Sequence, residues 1–160
     1  MTLRLTKQFS FEMAHALPAY EGKCRNIHGH SYKLFVTVEG APLAQSGAPT
    51  DGMVLDFHTL KECVEKHIIA RFDHALVLPR SAIGLWPLAF GSEQPTANSQ
   101  QPIANSQSLN SQLILVDFQP TTENLLLHFA RLLDGKFPPG VRLYSLKLYE
   151  TETSCAELIL

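Results

Sequence analysis

The alternation that runs from Leu3 to His15 limits what this chain can fold into more than any other feature. Odd positions carry Leu3, Leu5, Lys7, Phe9, Phe11, Met13 and His15, and even positions carry Arg4, Thr6, Gln8, Ser10, Glu12 and Ala14. A period of two is how a strand sends successive side chains to opposite faces, so this is a half-buried strand. A second stretch repeats the pattern, with His28, His30, Tyr32, Leu34, Val36 and Val38 set against Ser31, Lys33, Phe35, Thr37 and Glu39. If the two pair antiparallel, His15 at the end of the first strand meets His28 and His30 at the start of the second. Only Gly29 separates His28 from His30, and both rings leave the same face, the spacing by which a strand delivers two imidazoles to one ion. Three neutral nitrogen donors favour zinc and leave a coordination position open. Any one of these histidines alone reads as an apolar-face residue with a hydrogen-bond partner; the trio carries the metal reading.

The rest of the chain predicts an α+β fold. Phe57, Leu60, Val64, Ile68 and Phe72 recur at helical spacing behind Asp56, a suitable N-cap. A second helix starts at Pro120-Thr121-Thr122-Glu123, repeats Leu125, Phe129, Leu132 and Leu133, and stops near Gly135. Two more strands are expected at about 141–150 and 154–160. The order β-β-α-α-β-β then gives a four-stranded antiparallel sheet with both helices on one face. Its edges would be unpaired, and continuing the sheet into another subunit is one physical remedy, so a homo-oligomer is expected. A length of 160 residues fits a single domain, 1–160. Within it, residues 92–112 repeat PTANSQ, PIANSQ and SLNSQ, and 13 of the 21 are Ser, Asn or Gln. Such a stretch cannot bury enough apolar surface to order itself and reads as a flexible surface insertion.

Charge narrows the partners. Only 18% of residues are charged and the net charge is -2, which offers no footprint for a nucleic-acid backbone or an anionic membrane. No apolar run approaches the ~20 residues that cross a bilayer, and three widely spaced cysteines, Cys24, Cys63 and Cys155, suit a reducing cytoplasm better than a disulfide framework.

Several further residues admit chemistry. Cys24 lies four positions before His28, flanked by Lys23 and Arg25, cations that favour a thiolate able to act as base or nucleophile. A fourth structural metal ligand and a free surface thiol are equally open. Asp73-His74 could be a proton-transfer pair, in which the carboxylate fixes the imidazole's tautomer, or the decorated end of a helix. Glu150 could accept the paired N–H donors of an amidine-like heterocycle, or be a solvated turn residue. Thr121, Thr122 and Glu123 read first as a helix N-cap. Cys63 and Cys155 read as packing residues, and His58, His67, His128 and Trp86 belong to no constellation.

Five motifs in this order, Phe9-Ser10-Phe11-Glu12-Met13-Ala14-His15, Cys24-Arg25-Asn26-Ile27-His28-Gly29-His30, Asp73-His74, Pro120-Thr121-Thr122-Glu123-Asn124 and Glu150-Thr151, resemble the 6-pyruvoyl-tetrahydropterin synthase / 6-carboxytetrahydropterin synthase family. The resemblance covers nearly the whole chain outside residues 84–119. It implies a tunnelling fold (T-fold), whose sheets join into an oligomeric antiparallel β-barrel, a tetramer or hexamer with active sites at subunit boundaries. It also implies that His15, His28 and His30 hold zinc, Cys24 is the proton-abstracting thiolate, Asp73 and His74 relay protons, and Glu150 anchors the pterin and couples to that relay. Thr121 and Thr122 would line the pterin pocket from a neighbouring subunit. The three residues between Cys24 and His28 resemble the 6-carboxy branch, which converts 7,8-dihydroneopterin triphosphate to 6-carboxytetrahydropterin, acetaldehyde and triphosphate on the way to queuosine. Two rivals stand beside it: the 6-pyruvoyl branch, which eliminates triphosphate only, and a non-catalytic zinc- and pterin-binding module.

Overall fold

The computed structural model describes residues 1–85 and 112–160; Trp86 and all but the last residue of the 92–112 insertion lie outside the described residues. Strands β1 (Leu3–His15) and β2 (His28–Gly40) pair antiparallel along their whole length, with His15 opposite His28 and Met13 opposite His30. The alternation decides the faces: Phe9, Phe11, Met13, Tyr32, Leu34 and Val36 are buried, while Ser10, Glu12 and Ser31 between them stay exposed. Beyond β2 come β5 (Val141–Tyr149) and β6 (Cys155–Ile159), both antiparallel to their neighbours.

Among the described residues, two helical runs complete the core. The first starts as α1 (Phe57–Val64), where the Asp56 carboxylate accepts the His58 N–H at 3.1 Å. It continues through a π turn, Glu65–Ile69, into α2 (Ala70–Phe72), so the helix predicted over 57–72 exists with a π bulge in it. The second, α3 (Thr122–Leu133), is capped by the Thr121 hydroxyl, which accepts the Asn124 N–H at 3.3 Å. Leu60, Val64, Ile68 and Phe72 from the first run and Leu125, Phe129 and Leu133 from α3 are fully buried against the apolar face of the sheet. Phe129 joins the layers, its ring centroid 4.9 Å from that of Phe72 and 6.2 Å from that of Phe11. Among the described residues no helix is long and apolar enough to cross a membrane.

The sheet itself corrects the expectation of four antiparallel strands. Among the described residues it has six, ordered β4-β3-β1-β2-β5-β6, and it is mixed: β3 (Ala75–Pro79) runs parallel to β1, and β4 (Leu113–Val116) parallel to β3. All five residues of β3 are buried, and a strand covered on both faces shows a continuous apolar run instead of an alternation. β4 is only four residues long and adjoins the polar repeats, so periodicity could not reveal either one.

At the far end of β1 and β2, Glu39 is buried between Arg4, whose Nε lies 3.2 Å away, and Arg142. The Arg4 hydrogen bond, followed by the Arg142 contact, holds its carboxyl below the usual range against the opposing effect of burial. Next to it, Gly40 is packed tightly: a Cβ there would lie 2.7 Å from the Gly140 carbonyl oxygen and 2.9 Å from Val54 Cγ1. Gly40→Ala should therefore lower unfolding stability by about 1–3 kcal/mol. Urea melts check this, and an unchanged midpoint would show that the turn yields without cost.

Candidate metal centre

The β1–β2 register alone brings three imidazoles into one group, with ring centroids 4.5 Å (His15–His28), 4.9 Å (His28–His30) and 5.3 Å (His15–His30) apart. Their candidate ligand atoms all lie within 4.8 Å of one another. His15 is completely buried, and its Nδ1 lies 2.8 Å from the Pro120 carbonyl oxygen. His28 Nδ1 lies 2.8 Å from the carbonyl oxygen of Asn26. A carbonyl only accepts, so Nδ1 carries the proton in both rings and each neutral ring presents a bare Nε2. Those two Nε2 atoms face each other at 3.1 Å, and two lone pairs at that distance repel unless a cation or proton lies between them. Nitrogen ligands of a tetrahedral zinc ion stand roughly 3.3 Å apart given Zn–N bonds of about 2.0–2.1 Å. His30 Nε2 is likewise buried without a hydrogen-bond partner. The donor set fits a divalent ion of borderline softness.

Electrostatics favour the ligating form. Burial pushes the pKa of both His15 and His30 down, helped by the His28 ring; the Pro120 carbonyl bonded to His15 and the Glu150 charge beside both rings oppose it only in part. Metal ligation needs the neutral imidazole.

Glu150 follows β5 directly and closes a tight turn through its N–H to the Ser154 carbonyl at 3.1 Å. Its Oε1 lies 3.4 Å from His15 Nε2 and 3.7 Å from His30 Nε2, so it is a partly buried member of this cluster and not a freely solvated turn residue. Tyr32, one step along β2 on the same face, forms the floor: its ring lies edge-on to His15 and His30 at 6.2 and 5.6 Å. It was missed as a site residue because an aromatic on an apolar face reads as core, although its parity with His28 and His30 was available. The Pro120 carbonyl was also missed, since a backbone acceptor leaves no trace in residue type.

Cys24 sits on a 3-10 turn, Lys23–Arg25, half-buried, with its carbonyl accepting the Leu17 N–H at 2.9 Å. Its sulfur is not among the atoms of the ligand cluster. Asp73 and His74 form their own pair: Asp73 Oδ1 lies 3.0 Å from His74 Nδ1 and accepts the Glu12 N–H at 2.9 Å. That backbone donor, with the His74 imidazole, keeps the Asp73 carboxyl below its usual range. The His74 N–H in turn donates to the Glu12 carbonyl, and His74 is held at φ 59°, a left-handed conformation that a non-glycine residue adopts at a cost. The pair is thereby aligned with Glu12, whose side chain points away from the imidazole face. Glu12, Gly29, His30, Ser31 and His74 line one cavity, but among the described residues neither Asp73 nor His74 hydrogen-bonds to the three imidazoles, Cys24 or Glu150. Thr121 caps α3 and Thr122 is buried behind it.

Comparisons with known proteins follow the same outline. Residues 4–159 match the family model described as 6-pyruvoyl tetrahydropterin synthase. A Haemophilus influenzae protein named 6-carboxy-5,6,7,8-tetrahydropterin synthase is 36% identical over 154 residues, 96% of each chain. A Rickettsia typhi protein of the same name is 27% identical over 98% of this chain and 99% of its own. Among solved structures, an uncharacterized Wolinella succinogenes protein superposes with a TM-score of 0.75 at 22% identity, covering 99% of this chain and 98% of its own. The Caenorhabditis elegans 6-pyruvoyl tetrahydropterin synthase gives 0.61 at 20% identity over 99% and 96%; both likenesses concern the fold.

The depressed histidines predict a pH response in metal-free protein. His15 and His30 have folded pKa values below the ordinary 6.5, so the unfolded chain binds more protons and stability rises with pH. The melting temperature should fall as pH drops from about 7 toward 5, and the fall should shrink in His30→Gln. A separate loss belongs below pH about 4, where Asp73 and Glu39, whose pKa values are lowered, take up protons. A melting temperature flat between pH 7 and 5 would contradict the burial argument.

Proposed function

Because the chain belongs to the 6-pyruvoyl tetrahydropterin synthase family, we propose that it is a zinc-dependent 6-carboxy-5,6,7,8-tetrahydropterin synthase. It would convert 7,8-dihydroneopterin triphosphate to 6-carboxytetrahydropterin, acetaldehyde and triphosphate in the cytoplasm, a step toward queuosine. The observation that carries the reading is the pair of bare Nε2 atoms 3.1 Å apart, each ring pinned through Nδ1 to a backbone carbonyl. The near-full-length likeness to the Haemophilus influenzae protein of that name and the three-residue gap between Cys24 and His28 favour the 6-carboxy branch.

His15, His28 and His30 would hold the ion through ring nitrogens. When bound, zinc supplies a Lewis acid that polarises oxygen donors. The chain's own groups do the rest. Cys24, whose sulfur stands outside the ligand cluster, is free to take a proton from the substrate side chain. Asp73 engages His74 at Nδ1, which leaves Nε2 of that ring to return or relay a proton. Glu150 would accept paired N–H donors of the pterin ring, and Thr121 and Thr122 would border the pocket from a neighbouring subunit. Since neither Asp73 nor His74 hydrogen-bonds to the three imidazoles among the described residues, a site shared between copies accounts for the placement. The sheet ends at β4 and β6 offer backbone edges for such a homo-oligomer, a tetramer or hexamer.

Incubating zinc-loaded protein with 7,8-dihydroneopterin triphosphate should release acetaldehyde and triphosphate in equal amounts, with 6-carboxytetrahydropterin identified by mass spectrometry. Triphosphate without acetaldehyde would replace this reading with the 6-pyruvoyl one. Cys24→Ala should keep its zinc and lose turnover by about 10²–10⁴-fold. Loss of the metal in that variant would make the sulfur a structural ligand and favour a binding module.

A further inference from the structure

Tyr32 carries a hydroxyl that the core does not require. Its ring is fully buried, stacked on Phe11 at 5.2 Å with the planes 11° apart, and set edge-on to His15 and His30. A phenylalanine would fill that space equally well, and a buried hydroxyl without a partner costs stability. Among the described residues the Tyr32 hydroxyl has no hydrogen-bond partner.

The register shows where a partner stands. β2 and β5 pair Leu34 with Leu148 and Lys33 with Tyr149, so the next step sets Tyr32 opposite Glu150, and residues directly opposite share a face at side-chain contact distance. Among the described residues Glu150 is the charged group that acts on the Tyr32 phenol, through its charge and as a hydrogen-bond acceptor. His15 and His28 offer only lone pairs toward this space, because their protons are committed to Pro120 and Asn26. The hydroxyl is therefore a donor with one candidate acceptor, a carboxylate that the histidines do not satisfy.

We infer that Tyr32 is a positioning residue for Glu150: its O–H donates to the carboxylate and fixes the orientation in which Glu150 meets the paired N–H donors of the substrate heterocycle. This rests on the reaction proposed above. Tyr32 touches no substrate and acts through Glu150. The stacked ring lets it do so with little freedom of its own, since Phe11 and the two imidazoles hold it on three sides.

The test is a double-mutant cycle on the zinc-loaded full chain, with Tyr32→Phe, Glu150→Gln and the double variant. It reads KM and kcat for dihydroneopterin triphosphate, the Kd of neopterin by fluorescence quenching, zinc content and melting temperature. Tyr32→Phe should keep its zinc and raise KM and the neopterin Kd about tenfold, the scale of a hydrogen bond to a charged group, with kcat changed less. In the Glu150→Gln background the same substitution should add less than about twofold, because coupled residues are not additive. An unchanged neopterin Kd in Tyr32→Phe, or a full tenfold loss that persists without Glu150, overturns the assignment. Replacing Tyr32 by 3-fluorotyrosine, which keeps the packing and strengthens the donor, should tighten neopterin binding; an unaltered Kd there counts against the inference even if the phenylalanine variant fails to fold. Wild-type protein that binds neopterin with this coupling but does not turn over the triphosphate would refute the reaction and leave Tyr32 in its role. Turnover with additive variants would do the reverse.

Discussion

The pairing of β1 with β2 is the constraint on which everything else in this molecule rests. Thirteen residues on each side are joined without a break in register, and a slip of one would turn every side chain to the wrong face. The apolar residues from Phe9 to Met13 and from Tyr32 to Val38 commit one face to the helices. Because the histidines continue that parity past the last apolar residues, the force that builds the core also gathers the three imidazoles at its edge.

Gathering rings is not the same as orienting them. His15 is oriented by the Pro120 carbonyl, which belongs to the segment leading into α3, 105 residues away in sequence. His28 is oriented by the Asn26 carbonyl two residues before it. The capping of α3 by Thr121 thus contributes to the centre as well as to the helix, since a shift in that helix start would carry the Pro120 acceptor with it. Long-range packing and a local turn reach the same result: both rings turn a lone pair toward a common point.

The Asp73-His74 pair is held differently. Two backbone hydrogen-bonding groups of Glu12 clamp it, and the clamp keeps His74 in a conformation it would not choose alone. β3 begins one residue later, parallel to β1, so the strand that ends in His15 also fixes the pair. One strand therefore helps position two sets of chemical groups, the imidazole cluster through His15 and the Asp73-His74 pair through the Glu12 backbone.

The sequence alone determined the parts that depend on local pattern: β1 and β2 from their alternation, the two helical runs from apolar spacing, their caps at Asp56 and Thr121, and the convergence of His15, His28 and His30. These were legible because side-chain period and residue type are written residue by residue. The tertiary structure alone decided the rest. β3 and β4 were hidden because full burial erases alternation, which left the sheet two strands short and wholly antiparallel. The Pro120 and Asn26 carbonyls were hidden because every residue has one, and only the fold selects which of them faces a ring. Tyr32 was hidden because its hydroxyl acquires meaning only once the register sets Glu150 across from it. A linear pattern states which face a side chain takes; what waits on that face is fixed by segments that meet only when the chain closes on itself.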